Sequence, residues 1–394
     1  MSSNQTGSSL SAPLEGAAAP GVLGDAELCR LGSWLETQGL RVDANLSAEQ
    51  IAGGRSNLTY RIDNGPETWV LRRPPAGGAT PSAHDVQREY QVTQALGGTD
   101  VPMARAIAAS NDLTVIGAPF TIVEFVDGEA VRSEADLAAL DDLKLVHVVD
   151  QLVDSLTRLH AVDPASVGLE NLGRPDGYAT RQLLRWSGQW DIVGGHATPF
   201  TKSAAEEALR RLAMGLPSQT RTSIVHGDYR LDNVLLEPTT GDVLAVVDWE
   251  LSTLGDPVAD VALMGVYRER PLNAILGFEA AWTSDRLPQA EELAERYATR
   301  SGSDLPNWEF WMGLSAYKLA VIAAGIDYRW RTGTTAEEGF DQAQHAVEPL
   351  MHIALAYALS SSASGERLNE EPAATRRGSG CGSGGGGCGG GGCR

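Results

Sequence analysis

The chain has 394 residues, 42% of them hydrophobic, and a formal net charge of −20. That is enough apolar content for two or more packed units, and an acidic balance that excludes DNA or RNA as the main partner, because polyanion binding depends on clustered Lys and Arg. No apolar run of about 18 residues occurs, so no membrane span is expected, and the opening MSSNQTGSSLSAPLEGAAAPG lacks the basic-then-apolar order of a secretory leader, which points to a cytoplasmic location.

Residues 1–24, rich in Ser, Gly and Ala, read as a disordered arm. Residues 25–127 form the first unit. LSAEQIAGGRSNLTYRI holds two short apolar stretches around a Gly pair, DNGPE marks a turn, TWVLRR starts another strand, a helix lies between Pro81 and Gly97, and PFTIVEFV is a further strand. The expectation is a small sheet carrying one helix.

Residues 128–360 switch to helical periodicity. Leu145, Val149, Leu152, Leu156 and Leu159 follow one helix face, and further helices are expected near 178–192, 203–213, 288–300, 307–330 and 335–359, with one β island at 222–248. The fold class is α+β, a small β-rich lobe and a larger helical lobe with a cleft at their junction. Residues 361–394 end in GSGCGSGGGGCGGGGCR, a disordered tail; its Cys381, Cys388 and Cys393 leave soft-metal chelation as the other reading, and Cys29 is the one cysteine in the folded part.

The chemistry concentrates in HGDYRLDNVLL (226–236) and VVDWELSTLGDPVAD (246–260). Asp228, Asn233 five residues on, and Asp248 after the apolar VLAVV match the layout of a base and two Mg²⁺ ligands in phosphoryl transfer. Hard oxygen ligands few in number suit Mg²⁺, which completes its shell with phosphate and water. Glu89 projects into the apolar stripe of Val86, Val92 and Leu96, so it needs a cationic partner. Arg72 is the candidate and Arg73 its competitor.

These two motifs resemble those of the aminoglycoside phosphotransferase and choline kinase family, and the likeness extends over roughly residues 30–358. The resemblance implies a bilobal, protein-kinase-like fold that uses ATP and Mg²⁺, with Asp228 accepting the proton of the substrate hydroxyl and Asn233 and Asp248 holding the metal. It places Arg72 where a protein kinase has its phosphate-contacting Lys, next to Glu89, and assigns adenine to main-chain groups from Glu124 to Val126. The hairpin with Gly54, Arg55, Ser56 and Asn57 would approach the phosphates, although it lacks GxGxxG and a Gly pair between strands is also an ordinary turn. Asp256 reads as a buried loop brace and Asp260 as a charge at a helix start.

For the acceptor, YATRQLLRWSGQW lies where the family places substrate helices, and residues 172–202 carry four Lys or Arg against two Asp in an otherwise acidic chain. Arg181, Arg185, Trp186 and Trp190 are the candidate contacts; the other reading makes the aromatic residues core and the arginines a solvated face. RQLLRW together with PFTIVEFVDG and VVDWELSTLGDP is most similar to the family branch also found fused to acyl-CoA dehydrogenases, which implies hydroxyacyl-CoA thioesters as acceptors. The rivals are a kinase for aminoglycosides or other amino alcohols, a protein kinase, disfavoured because no APE-like segment follows Asp248, and a catalytically silent pseudokinase, disfavoured because Asp228, Asn233 and Asp248 are all present.

Overall fold

The computed structural model of the chain describes residues 23–43, 45–51, 57–74, 86–219, 221–333 and 340–369. The arm at 1–22, the phosphate-loop candidates Gly54, Arg55 and Ser56, and the Gly/Cys-rich tail from 370 lie outside the described residues.

The smaller lobe is built on strands β1 (Ser47–Gln50), β2 (Leu58–Asn64), β3 (Glu67–Arg73), β4 (Ala106–Ser110) and β5 (Phe120–Glu124), which form one antiparallel sheet in the order β1-β2-β3-β5-β4. Alternation sets the register of the β2–β3 hairpin. Tyr60, Ile62, Trp69 and Leu71 point into the core, and Gly65, at φ 68, supplies the positive φ that the tight turn needs.

Three helices accompany this sheet where the sequence suggested one: α1 (Asp25–Thr37), α2 (Val86–Leu96) and the single turn α3 (Leu113–Ile116). The missed α1 is amphipathic. Leu31 and Leu35 are fully buried in the small-lobe core, Trp34 meets Phe120 edge-on at 5.1 Å between centroids, and Glu27 reaches back to accept the Gly24 N–H at 2.9 Å.

The larger lobe contains α4 (Glu134–Ala138), α5 (Asp142–Ala161), α6 (Tyr178–Val193), α7 (Pro199–Met214), α8 (Val258–Val266), α9 (Pro271–Leu276), α10 (Ala290–Ser301), α11 (Trp308–Arg331) and α12 (Gln344–Asn369). Two small antiparallel pairs, β6 (Ser223–Val225) with β9 (Thr253–Gly255) and β7 (Val234–Leu236) with β8 (Val243–Val246), carry the motif residues. Helix α11 is buried almost all round from Phe310 to Asp327, the mark of a central helix. Helix α12 continues past the boundary expected at residue 361.

Helix α2 links the lobes. Its Val92 and Leu96 pack into the large-lobe core, and Arg88 donates to the carbonyls of Leu172 at 2.7 Å and Ser252 at 3.1 Å. The helix meets the sheet as well, where Gln87 donates to the Ser110 carbonyl at 3.2 Å.

Truncating α1 tests its place in the fold. Leu31→Ala should lower unfolding stability by about 2–5 kcal/mol, the usual cost of a buried leucine-to-alanine cavity, read as a shifted urea midpoint. An unchanged midpoint would mean that α1 does not share the small-lobe core.

Candidate active site

Strand β6 delivers the chain to His226, which is fully buried. Its Nδ1 accepts the Asp228 N–H at 3.2 Å and its Nε2 faces the Val247 carbonyl at 3.0 Å, so the ring is a neutral Nε2–H tautomer joining the loop to the end of β8. Gly227 follows at φ +84, and a Cβ there would stand 2.8 Å from the Leu251 carbonyl oxygen. Only glycine fits this turn.

One buried carboxylate holds the loop from below. Asp260 Oδ2 accepts the His226 N–H at 2.6 Å, its Oδ1 accepts the Gly227 N–H at 2.8 Å, and His160 Nε2 lies 3.3 Å from Oδ2. Burial pushes the Asp260 pKa up, but the His160 contacts and the loop amide outweigh it and hold the group below the usual carboxylate range. Asp256 is buried in the loop before α8, as expected, and its Oδ1 accepts the Val258 N–H at 3.0 Å. Asp260 lies in the first turn of that helix, as expected, and in addition braces the loop of His226 and Gly227.

Asp228 is half-buried and surrounded by donors. The Tyr267 hydroxyl donates to Oδ1, Arg230 Nε lies 3.4 Å from the same oxygen, and Asn233 Nδ2 donates to the Asp228 carbonyl at 2.7 Å and to Oδ2 at 3.2 Å. The Asn233 amide nitrogen is thereby committed, which leaves its Oδ1 as the atom of that amide able to face a cation. Asp248 follows β8 in the left-handed region, at φ 68 and ψ 58. Its Oδ1 takes a 3.1 Å contact from Arg72 Nη2.

From the sheet, Arg72 ion-pairs through Nη1 with Glu89 of α2 and through Nη2 with Asp248. Burial depresses its pKa, yet the two carboxylates more than offset this and raise it above the ordinary arginine value. Glu89 is displaced upward by burial, with Arg72 opposing. The competitor Arg73 points the other way, to the Tyr60 hydroxyl at 3.2 Å, the Ile116 carbonyl at 3.0 Å and Glu27 at 3.6 Å. Asn57 is buried and donates to Glu250 Oε2 at 3.3 Å. Burial, then the neighbouring Asp248 charge, pushes the Glu250 carboxyl up to about 8.

Among the described residues no cluster of three His, Cys, Asp or Glu stands ready for a metal. The donor set suits a hard cation that brings its own phosphate ligands: Asn233 and Asp248 offer oxygen, and buried polar atoms without a hydrogen-bond partner gather around the cleft, at Asn57 Oδ1, Arg72 Nε, Glu89 Oε2 and Arg230 Nε. At the strand end, the Glu124 N–H already donates to the Arg105 carbonyl at 2.9 Å and the Val126 carbonyl accepts the Gly128 N–H at 2.9 Å.

The four acceptor candidates on α6 separate. Trp186 lines a recess beside Gly227, and its Nε1 donates to Gln182 at 3.0 Å. Arg185 is exposed, its guanidinium 5.1 Å from the Trp186 ring centroid. Arg181, expected to pair with Arg185 on one anion, donates instead to the carbonyls of Arg174 and Asp176 in the loop before the helix. Trp190 packs on the large-lobe core and crowds Gly194, where a Cβ would stand 2.7 Å from its ring. Tyr267, Arg230, Glu250 and Lys318 were not singled out from the sequence. Only Lys318 left a readable trace, as the one charge between Glu309 and Asp327 in an apolar helix.

A family model described as a phosphotransferase enzyme family matches residues 47–311. The chain belongs to that family. It is 33% identical over 331 residues to acyl-CoA dehydrogenase family member 10 of Mus musculus, covering 83% of this chain and 30% of that one. It is 31% identical over 328 residues to family member 11 of Homo sapiens, covering 82% of this chain and 42% of that one. The chain thus spans less than half the length of either relative. A crystal structure from Ralstonia eutropha JMP134, described as a candidate aminoglycoside phosphotransferase, has 31% identity and a TM-score of 0.71 over 84% of this chain and 98% of its own. An ethanolamine kinase from Plasmodium vivax, 12% identical over 82% of this chain and 86% of its own, shares the fold at a TM-score of 0.56. The two-lobed architecture is kinase-like.

The brace is open to test. Asp260→Asn should cost about 3 kcal/mol or more, because an amide cannot accept two main-chain N–H groups and face His160 as a carboxylate does. Thermal melts of the variant read the loss; a melting temperature equal to wild type would remove Asp260 as the loop's support.

Proposed function

We propose that the chain transfers the γ-phosphoryl group of Mg²⁺-ATP to a hydroxyl of a small molecule, and that the acceptor is a hydroxyacyl-CoA thioester. The observation that carries the first part is the Asp228 carboxylate, held by Tyr267 and Asn233 on a loop fixed from below, with Asp248 and Arg72 across the cleft. Family membership supports phosphotransfer, and the relatives named as acyl-CoA dehydrogenase family members support the acceptor. A cytoplasmic location, where ATP is plentiful, belongs to the same proposal.

In this reading Asp228 orients the acceptor hydroxyl and takes its proton as the oxygen bonds to the γ-phosphorus and the bond to ADP breaks. Asn233 and Asp248 would hold Mg²⁺, which would supply neutralisation of phosphate charge. Arg72 keeps the charge of the kinase lysine and adds a fork, so it stays on Glu89 while turning toward phosphate. Adenine meets the Glu124 carbonyl and the Val126 amide, because the Glu124 amide is used within the sheet. Asn57, beside Gly54, Arg55 and Ser56, closes the phosphate side.

Two substitutions separate the roles. Asp228→Asn should lower turnover by about 10²–10⁴-fold while leaving Mg²⁺-ATP affinity within a few fold, as read by a coupled ADP assay and by calorimetry. Wild-type turnover would remove Asp228 from the chemistry. Asp248→Asn should raise the Mg²⁺ concentration needed for half-maximal activity by roughly tenfold; an unchanged Mg²⁺ titration would assign the metal to another carboxylate.

A further inference from the structure

Beside the catalytic loop lies a small recess open to solvent. Tyr178, Gln182 and Trp186 of α6 form one wall, Trp311, Ser315 and Lys318 of α11 the other, and Gly227 joins it to Asp228. The Lys318 ammonium donates to the Gly227 carbonyl at 2.9 Å and stands 5.7 Å from the centroid of the Trp186 ring. Burial lowers its pKa, and the Asp228 and Asp260 carboxylates oppose that shift.

The polar groups lining this recess are the Lys318 ammonium, the Gln182 amide, the Tyr178 and Ser315 hydroxyls and the Asp260 carboxylate. A protonated lysine has three N–H donors, and the Gly227 carbonyl uses one. Gln182 gives its oxygen to Trp186, so its amide N–H₂ is the end left for a ligand. The nearby Asp260 carboxylate is occupied by His226, Gly227 and His160. The walls therefore offer donors and aromatic faces, and the one carboxylate among the lining residues, Asp260, already carries its three contacts.

Resting on the phosphotransferase reading above, we propose that Lys318 is the acceptor-binding residue that sets substrate charge: it binds a carbonyl or carboxylate oxygen of the acceptor while the hydroxyl faces Asp228, and so favours hydroxyacyl compounds over cationic amino alcohols. Holding the loop carbonyl would need only one donor. An ammonium that lines an aromatic-walled recess has two further donors to offer a ligand.

The test uses the full chain and two probes of matched carbon skeleton, 3-hydroxybutanoate and 4-aminobutan-2-ol, with binding read by calorimetry and phosphorylation by ADP release. Wild type should bind the acid at least about tenfold tighter than the amine. Lys318→Met should lose that preference, Lys318→Arg should keep it, and both should retain Mg²⁺-ATP affinity within about twofold and the wild-type melting temperature. If Lys318→Met does not fold, Lys318→Gln is read in its place. Equal affinity of wild type for the two probes, an unchanged preference in a folded neutral variant, or an equal loss of ATP affinity and acceptor affinity would each overturn the assignment, the last by making Lys318 a loop brace. Selective binding of the acid without ADP release from any acceptor would sink the phosphotransferase reading and leave the binding role standing.

Discussion

Everything in the site hangs from the buried carboxylate of Asp260. Two consecutive main-chain N–H groups converge on its two oxygens, and Gly227, at φ 84, turns the chain there. With the turn fixed, Asp228 projects toward Tyr267 and Asn233, and the Gly227 carbonyl faces Lys318. The charge lies in the large-lobe core, where water cannot replace a lost partner, so its hydrogen bonds with His226, Gly227 and His160 are mutually required.

A second set of charges crosses the cleft. Arg72 on the sheet meets Glu89 on α2 and Asp248 after β8, and Asn57 meets Glu250 two residues farther on. Carboxylates at 248 and 250 repel, and the raised Glu250 pKa records that repulsion together with its burial. Such a concentration of negative charge beside an arginine is unfavourable to an isolated fold and suits a site that receives a cation and phosphates together.

The lobes, their order and the motif loop were legible in the sequence because each rests on a local signal: alternation in β2 and β3, the apolar stripe of α5, and the spacing of Asp228, Asn233 and Asp248. Helix α1 gave a weak signal because its apolar stripe is short, with Leu28, Leu31 and Leu35 as its leucines. Asp260 was legible as a charge at a helix start, but only the path of the chain brings it under the amides of His226 and Gly227. Tyr267 gave no signal, since a tyrosine at the end of an apolar helix is ordinarily core. Arg181 and Arg185 are four residues apart on α6, but the Arg181 guanidinium donates to the loop carbonyls of Arg174 and Asp176, a contact that helical spacing does not reveal.

Helix α2 packs on both lobes: Gln87 donates to the Ser110 carbonyl of the sheet at 3.2 Å, while Val92, Leu96 and the Arg88 contacts fasten the helix to the large lobe. Arg72 therefore meets one carboxylate from this bridging helix and one from the large lobe. Parting the sheet from the loop after β8 must break the Arg72–Asp248 pair and the Asn57–Glu250 contact together, so the cleft is held by two polar contacts that an incoming cation and its phosphates would both meet.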